Sequence, residues 1–116
     1  MVTYRVNDAG VRQARRLIDE GKVDTDTGWG DAAPNAAEEN AEIERHGYGG
    51  YGAWHVAIDT EASEETKDRY GFPYGDFEKV NRSALIHAKQ RAAQNDHPEV
   101  EKAADGLLAR LEDRSG

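Results

Sequence analysis

The sequence contains no cysteine and only three prolines among its 116 residues. The lack of cysteine excludes disulfide bonds, thiol catalysis and thiolate metal sites. No apolar run approaches the length of about 20 residues that a membrane-spanning helix needs. The first eight residues, Met-Val-Thr-Tyr-Arg-Val-Asn-Asp, contain no apolar signal core. We therefore expect a cytoplasmic protein that has no membrane partner.

Apolar residues are also scarce, at 37% of the chain, whereas charged residues reach 33% and the net charge is −8. Residues 1–58 carry 10 acids and 6 bases and residues 59–116 carry 13 acids and 9 bases, so each half is −4. An acidic composition that is poor in Lys and rich in Ala and Gly suits a high-GC genome or a salt-rich cytoplasm, where surface carboxylates keep proteins soluble. The acidity therefore does not identify a partner. The length suits a single domain, 1–116, with a modest core.

The spacing of apolar residues predicts four helices, over about residues 8–20, 34–46, 80–92 and from 96 onward. The third helix has two candidate caps, Asn81 and Ser83, and the fourth begins with Asp96 and Glu99 in capping-box spacing. Residues 22–34 have no apolar period and are predicted to form a flexible loop. Residues 113–116 are predicted to be a disordered tail.

Two short segments alternate as half-buried strands do: Trp54, Val56 and Ile58 in the first, and Tyr70, Phe72 and Tyr74 in the second. Pro73 places the second segment at a sheet edge or at a strand end. We predict that the two segments pair as an antiparallel ribbon. The predicted fold is therefore a single small α+β domain, with about four helices packed on a short two-stranded antiparallel ribbon.

Two loop motifs resemble ligand-binding sequences. Gly47-Tyr-Gly-Gly-Tyr-Gly52 has the letters of a dinucleotide fingerprint, but a predicted helix precedes it and a predicted strand follows, so it is interpreted as a turn. Asp24, Asp26, Gly28 and Asp31 resemble a calcium loop, but the closing Glu of that motif is replaced by Asn35. The histidines are not spaced as metal ligands. We predict no cofactor and no metal.

The hypothesis that the protein is an enzyme depends on few residues. Ser83 and His87 lie four apart on the third helix with Asp76 upstream, but a hydroxyl in mid-helix lacks the strained turn that exposes a nucleophile. We therefore predict no catalytic residue. The enzyme alternative that stays open requires Asp59, Asp76, His55 or His87 to converge in a cleft.

A basic zone supports a second alternative. From Lys67 to Arg91 the chain has six bases and three acids, with aromatic residues between them. Basic and stacking side chains together are typical of nucleic-acid binding, here through Lys79, Arg82, Lys89 and Arg91. A basic helix face also pairs readily with acidic helices around it.

Three strings carry a family resemblance: Tyr51-Gly-Ala-Trp-His-Val-Ala-Ile-Asp59, Glu64-Glu-Thr-Lys-Asp-Arg-Tyr-Gly-Phe-Pro-Tyr-Gly-Asp-Phe77 and Asn81-Arg-Ser-Ala-Leu-Ile86. With them, most of the chain after Leu17 resembles a family of small uncharacterised proteins of actinobacteria and haloarchaea, a resemblance that implies no particular activity. The Ile-Asp, Lys-x-x-Tyr-x-Phe-Pro and Arg-led helix pattern is also similar to a short segment of some phage head-morphogenesis proteins. Those proteins usually read Tyr-Lys-Leu-Pro where this chain has Tyr70-Gly-Phe-Pro73, and the likeness implies no catalytic residue.

These observations favour a non-catalytic binding or assembly module that binds a protein partner or associates with itself. Its contact surface is predicted around the Tyr70–Phe77 segment and the following helix, because aromatic residues beside a Pro-Gly turn exceed what a thin core buries. The predicted surface consists of Trp54, Tyr70, Phe72, Tyr74, Asp76, Phe77, Arg82, Lys89 and Arg91.

Overall fold

The computed structural model describes residues 4–115. Its helices are α1 (Asp8–Asp19), α2 (Trp29–Ala32), α3 (Ala36–Gly52), α4 (Arg82–Gln94) and α5 (Pro98–Ser115). Its strands are β1 (Arg5–Val6), β2 (Val23–Asp24), β3 (His55–Ile58), β4 (Tyr70–Pro73) and β5 (Val80–Asn81). One 3-10 turn, Lys67–Arg69, leads into β4. The α+β class is confirmed, with one helix more than predicted within the described range.

A three-stranded antiparallel sheet forms the centre of the molecule, in the order β1-β3-β4. In the register of β3 and β4, Ile58 lies opposite Tyr70 and His55 opposite Pro73. The predicted pairing of these two segments is therefore confirmed. The structure adds β1 on the other side of β3, where Arg5 lies opposite Ile58.

Helices α1, α4 and α5 enclose this sheet because each has an apolar stripe at helical spacing. The fully buried side chains include Ile18 of α1, Leu85 of α4, Leu107 and Leu111 of α5, and Tyr74 after β4. The first, third and fourth predicted helices are confirmed as α1, α4 and α5. Helix α3 contacts the sheet mainly through its C-terminal end, where Tyr51 and Gly52 are buried.

The prediction that residues 22–34 form a loop was wrong. Within this segment β2 pairs in parallel with β5, and α2 forms one helical turn. Elements of two and four residues are too short to show an apolar period, so the pattern could not reveal them.

Three helix boundaries also differ from the predictions. The backbone of Gly47 is left-handed (φ 74°) and breaks α3 at the predicted stop, but helical residues resume and continue to Gly52. Asp96 has φ 58° and α5 begins at Pro98, so Asp96 ends the preceding turn instead of capping the helix. Residues 113–115 of the predicted disordered tail belong to α5, and Gly116 lies outside the described residues.

Asn81 is the residue that caps α4. Its Oδ1 accepts the N–H of Ala84 at 2.9 Å, and its Nδ2 donates to the carbonyl oxygen of Thr27 at 2.9 Å. The Ser83 hydroxyl instead accepts the N–H of Trp29 at 3.0 Å. Because the Asn81 side chain is buried, Asn81→Ala removes a cap and leaves the buried N–H of Ala84 without its acceptor and the carbonyl oxygen of Thr27 without its donor. We expect a loss of about 2 kcal/mol in the free energy of unfolding.

Urea unfolding of Asn81→Ala beside Ser83→Ala tests this assignment. The Ser83 variant loses one partly buried hydrogen bond, so we expect its stability to fall by about 1 kcal/mol or less. Equal losses in the two variants would contradict the role of Asn81 as the cap.

Candidate functional site

A groove of about 490 Å³ lies between β4 and α4. Phe72 and Pro73 of β4 form one side, and Ala84 and Ala88 of α4 form the other. The two alanines are buried and short, so α4 presents a shallow face on which another side chain fits. We call this feature the β4–α4 groove. Its lining is completed by two further residues of α4, His87 and Arg91, and by residues from three other parts of the chain: Tyr4, Trp29, and Asn95 with His97.

The backbone of Phe72 turns its ring toward this groove. Residues two apart in a regular strand share a face, but Tyr70 packs against His55 (ring centroids 5.7 Å apart) and Phe72 packs against His97 (6.0 Å). Phe72 has φ 59°, a left-handed conformation that costs a residue with a side chain about 1–3 kcal/mol. The break in alternation places an apolar ring in the groove at the expense of backbone strain.

Tyr4 holds the Phe72 ring in place. Its ring meets Phe72 edge-on, with centroids 5.4 Å apart, and meets His97 at 5.6 Å. A Cβ at position 71 would lie 2.8 Å from the Tyr4 ring, so Gly71 is the residue that permits this approach. Burial raises the pKa of the Tyr4 phenol, and the nearby Asp59 carboxylate raises it further. Tyr4 is therefore a neutral hydroxyl beside the groove at physiological pH.

The charge of the groove is opposite to that of the chain. Among the described residues that line it none is acidic, whereas the exposed guanidinium of Arg91 supplies a positive charge. His87, Asn95 and His97 add side chains that form hydrogen bonds. In a chain of net charge −8 this is a local site for an anionic group.

The groove also runs beside a sheet edge. β4 pairs with β3 on one side, and no strand within residues 4–115 pairs with Tyr70–Pro73 on the other. Past Pro73 the edge is covered, because Gly75 bridges to Val80 and Tyr74 accepts the N–H of Asn81 at 2.8 Å. The part of the edge that has no strand partner is therefore the part that lines the groove.

The predicted contact surface divides in the structure. Trp54 and Tyr74 are buried, with exposures of 7% and 0%, and the Tyr74 hydroxyl donates to the Ala53 carbonyl oxygen at 2.7 Å. Including Tyr74 in a contact surface was wrong, because a small domain needs its large rings in the core, and Trp54 is almost fully buried as well. Tyr70 and Phe77 are half-buried against Tyr51.

The remaining residues of that surface have different positions. Asp76 Oδ1 accepts the N–H groups of Glu78 and Lys79 at 3.0 and 2.8 Å, which fixes the turn before β5. Phe72 and Arg91 are the two predicted residues that line the groove. The structure therefore brings together one aromatic and one basic member of the predicted set.

Half of the basic residues proposed for nucleic-acid binding form ion pairs with α5. Arg82 bonds Glu112 at 2.8 Å, and Lys89 bonds Asp105 at 2.8 Å. The Asp105 carboxylate raises the pKa of the Lys89 ammonium. Two of the four predicted phosphate contacts are thus ion-paired within the domain.

The residues of the enzyme alternative lie apart. His55 is buried, and its Nδ1 lies 3.1 Å from the carbonyl oxygen of Tyr51, a partner to which the ring must donate. Asp59 Oδ1 accepts the N–H of Glu61 at 3.0 Å in a turn, much as Asp76 does in its own turn. His87 alone of the four lines the β4–α4 groove.

The residues that resembled a calcium loop form a turn. Asp24 Oδ1 accepts the N–H groups of Asp26 and Thr27, each at 3.0 Å, and these bonds lower the pKa of that carboxyl. Between residues 4 and 115, no group of three or more His, Asp or Glu side chains is arranged to hold a metal ion. None of the described helices is long and apolar enough to cross a membrane.

Sequence reasoning missed most of the groove. Tyr4 and His97 meet there from opposite ends of the chain, and Trp29 enters from the segment predicted as a loop. A local sequence pattern cannot indicate contacts between residues that lie so far apart in the chain. No family model, curated protein or solved structure matches this chain, so the two resemblances described above stay predictions.

Proposed function

We propose that the protein is a non-catalytic binding module whose β4–α4 groove receives an extended acidic segment of a partner protein. The observation that carries this proposal is an aromatic groove with Arg91 and no acidic residue in its described lining, on a chain of net charge −8. The groove lies beside the edge of β4 that has no strand partner among residues 4–115.

An extended peptide suits this geometry. A strand added to a sheet edge satisfies the backbone groups that the edge leaves unpaired, while alternate side chains enter the space between sheet and helix. Here that space is lined by Phe72, Trp29 and the small residues Ala84 and Ala88. We therefore expect the bound segment to place one aromatic or branched apolar side chain against Phe72.

Charge then selects among extended peptides. A carboxylate beside the apolar side chain would reach Arg91, and an arginine with a carboxylate forms a directional, charge-assisted pair. The net negative charge of the chain repels an acidic partner in general, so Arg91 favours contact at this groove. A nucleic acid fits less well, because Arg82 and Lys89 would have to leave their α5 carboxylates to contact phosphates.

Peptides of about six residues, the usual length of a strand, test the proposal directly. The probe set consists of fluorescently labelled Glu- and Asp-rich peptides with a central Phe or Leu, and of Lys-rich peptides with the same centres. We expect acidic members to bind with micromolar to millimolar Kd, and Arg91→Glu to weaken them at least about tenfold, which is about 1.4 kcal/mol.

Arg45→Glu is the matched control, because Arg45 is exposed on α3 and the net charge changes equally. We expect it to leave the affinity within about twofold of the wild type, since exposed charges at a distance are screened by salt. Equal loss in the two variants, or no binding by any acidic peptide, would overturn the proposal. Tighter binding to single-stranded oligonucleotides, with steep salt dependence, would replace it by the nucleic-acid alternative.

A further inference from the structure

A second, smaller pocket of about 100 Å³ lies beside the groove, behind Trp29 and Pro73. Trp54 and Phe77 line it with ring centroids 6.0 Å apart and planes at 86°, so the two rings form adjoining walls at a right angle. Trp29 adds a third aromatic side chain. Because a water molecule takes about 30 Å³ of liquid, the space admits about three waters or one small branched group.

One carboxylate lines this aromatic pocket. Glu39 is in its lining, and the Glu39 Oε1 atom accepts a hydrogen bond from the ammonium of Lys67 at 3.1 Å. Its Oε2 lies 3.4 Å from the Tyr51 hydroxyl, whose pKa is raised by burial and by Glu39 itself, so the phenol stays protonated and donates. The carboxylate is therefore fixed at the pocket and already stabilises one ammonium group.

None of the described residues that line the pocket carries a positive charge at neutral pH, and the nearest ammonium is that of Lys67 on the Glu39 carboxylate. His55 is the one basic side chain among the described lining residues, and burial lowers the pKa of its imidazole to about 4. The lining thus combines three aromatic rings, a carboxylate and a neutral imidazole. The electron-rich faces of aromatic rings attract cations, most strongly alkylated ammonium ions that are poorly hydrated.

We propose that the Trp29–Trp54–Phe77 pocket is a binding site for an alkylammonium group, with Glu39 as its counter-ion. The ligand class is a quaternary or methylated ammonium, carried either by a free solute or by a methylated lysine of a protein. This site is separate from the peptide-binding function of the groove, although Trp29 and Pro73 line both cavities.

Choline and 3,3-dimethylbutan-1-ol have the same shape, but only choline is charged. Comparing their affinities therefore distinguishes a cation-binding site from an apolar cavity. The chain has two tryptophans and both line the pocket, so intrinsic fluorescence reports binding to the full chain. We expect choline to bind at least about tenfold more tightly than the alcohol. Equal affinities, or no fluorescence change with choline, tetramethylammonium or a trimethyllysine peptide, would overturn the proposal.

Two substitutions around the counter-ion should have opposite effects. Glu39→Gln removes the negative charge, so we expect choline affinity to fall about tenfold. Lys67→Met removes the ammonium that competes for Glu39, so we expect affinity to rise about threefold. A merely structural role of the Glu39–Lys67 pair would change affinity in the same direction in both variants, and that result would contradict the assignment.

The remaining comparisons separate the two sites and the two ligand sources. Arg91→Glu should leave choline binding unchanged, and Glu39→Gln should leave the acidic peptides unchanged, so either site can fail without the other. A trimethyllysine peptide that binds at least about tenfold more tightly than choline assigns the ligand to a protein, because flanking residues then add contacts. Equal affinity assigns it to a small solute.

Discussion

Gly10→Ala destabilises the domain by about 4 kcal/mol or more, whereas Gly106→Ala stabilises it by about 0.5–1 kcal/mol. Both glycines lie in helices, Gly10 in α1 and Gly106 in α5, so helix propensity favours alanine at each. The sign differs because the two positions have different surroundings.

A Cβ at position 10 would overlap the backbone carbonyl oxygen of His55 and lie 3.0 Å from Nδ2 of Asn7. The oxygen belongs to β3, the central strand of the sheet, which cannot rotate away as a side chain does. Asn7 is also held, since its Nδ2 donates to the carbonyl oxygens of Gly52 and His55 at 2.9 and 3.1 Å. Alanine therefore forces α1 away from the sheet, and because a backbone atom would have to move we expect the cost to exceed the usual range of about 1–3 kcal/mol for overpacking.

At position 106 a Cβ meets nothing within 4 Å. Alanine there only restricts the unfolded chain and improves helix propensity, which accounts for the small gain. Circular dichroism during urea unfolding measures both variants, and Gly106→Ala serves as the matched control for expression and for the intrinsic effect of the methyl group. A Gly10→Ala protein as stable as the wild type would show that α1 does not pack on the β3 backbone as described.

This contrast shows which parts of the fold the sequence predicts. Helices α1, α4 and α5 and strands β3 and β4 have apolar side chains at their own period, because each buries one face, and all five were predicted. The local sequence does not show that Gly10 is required and Gly106 is not, because the difference arises from the carbonyl group of His55, which lies 45 residues from Gly10 in the chain. A close approach between two backbone segments produces no periodic pattern in the sequence, so it cannot be predicted from apolar spacing.

Helix α3 illustrates a weaker kind of prediction. The prediction of a helix over residues 34–46 was correct in type, and Ala37, Ala41 and Glu44, with Ile43 nearby, follow helical spacing there, but this stripe does not indicate the contacts of the helix. The structure buries Glu42 in that helix and leaves Ile43 half-exposed. An alanine-rich stripe gives little hydrophobic preference for one face, so its sequence does not decide the orientation, and α3 makes tertiary contacts such as the Tyr51–Phe77 ring contact and the Glu39–Lys67 ion pair.

The candidate site was predicted only in part for a related reason. Phe72 and Arg91 were singled out from local composition, but the ring of Phe72 enters the groove because its backbone adopts a left-handed conformation. An alternating pattern cannot report that conformation, and it would place Phe72 on the face of Tyr70. The groove therefore depends on a deviation from the regularity that made the strand predictable.

His55 makes the stability of the domain depend on pH. Its imidazole pKa is lowered by burial from 6.5 to about 4 in the folded state, while the unfolded chain keeps the ordinary value. Between pH 6.5 and about pH 4 the unfolded state binds more protons than the folded state. The free energy of unfolding therefore falls as the pH falls through 6.5, and below about pH 4 His55 causes no further loss. Because each unit of pKa difference corresponds to about 1.36 kcal/mol, the free energy of unfolding falls by about 3 kcal/mol in total.

His55→Asn removes the titrating group and keeps an N–H donor near the carbonyl oxygen of Tyr51. We expect this variant to be less stable than the wild type at pH 7, because the smaller side chain leaves space beside Tyr51 and Tyr70, but to lose little further stability down to about pH 4.5. His87→Asn, at an exposed position, should retain the wild-type slope. Urea unfolding at several pH values measures, for the wild type and both variants, how the free energy of unfolding changes with pH. Parallel slopes for the wild type and His55→Asn would contradict the neutral, buried imidazole, and with it the absence of an opposing charge in the Trp29–Trp54–Phe77 pocket.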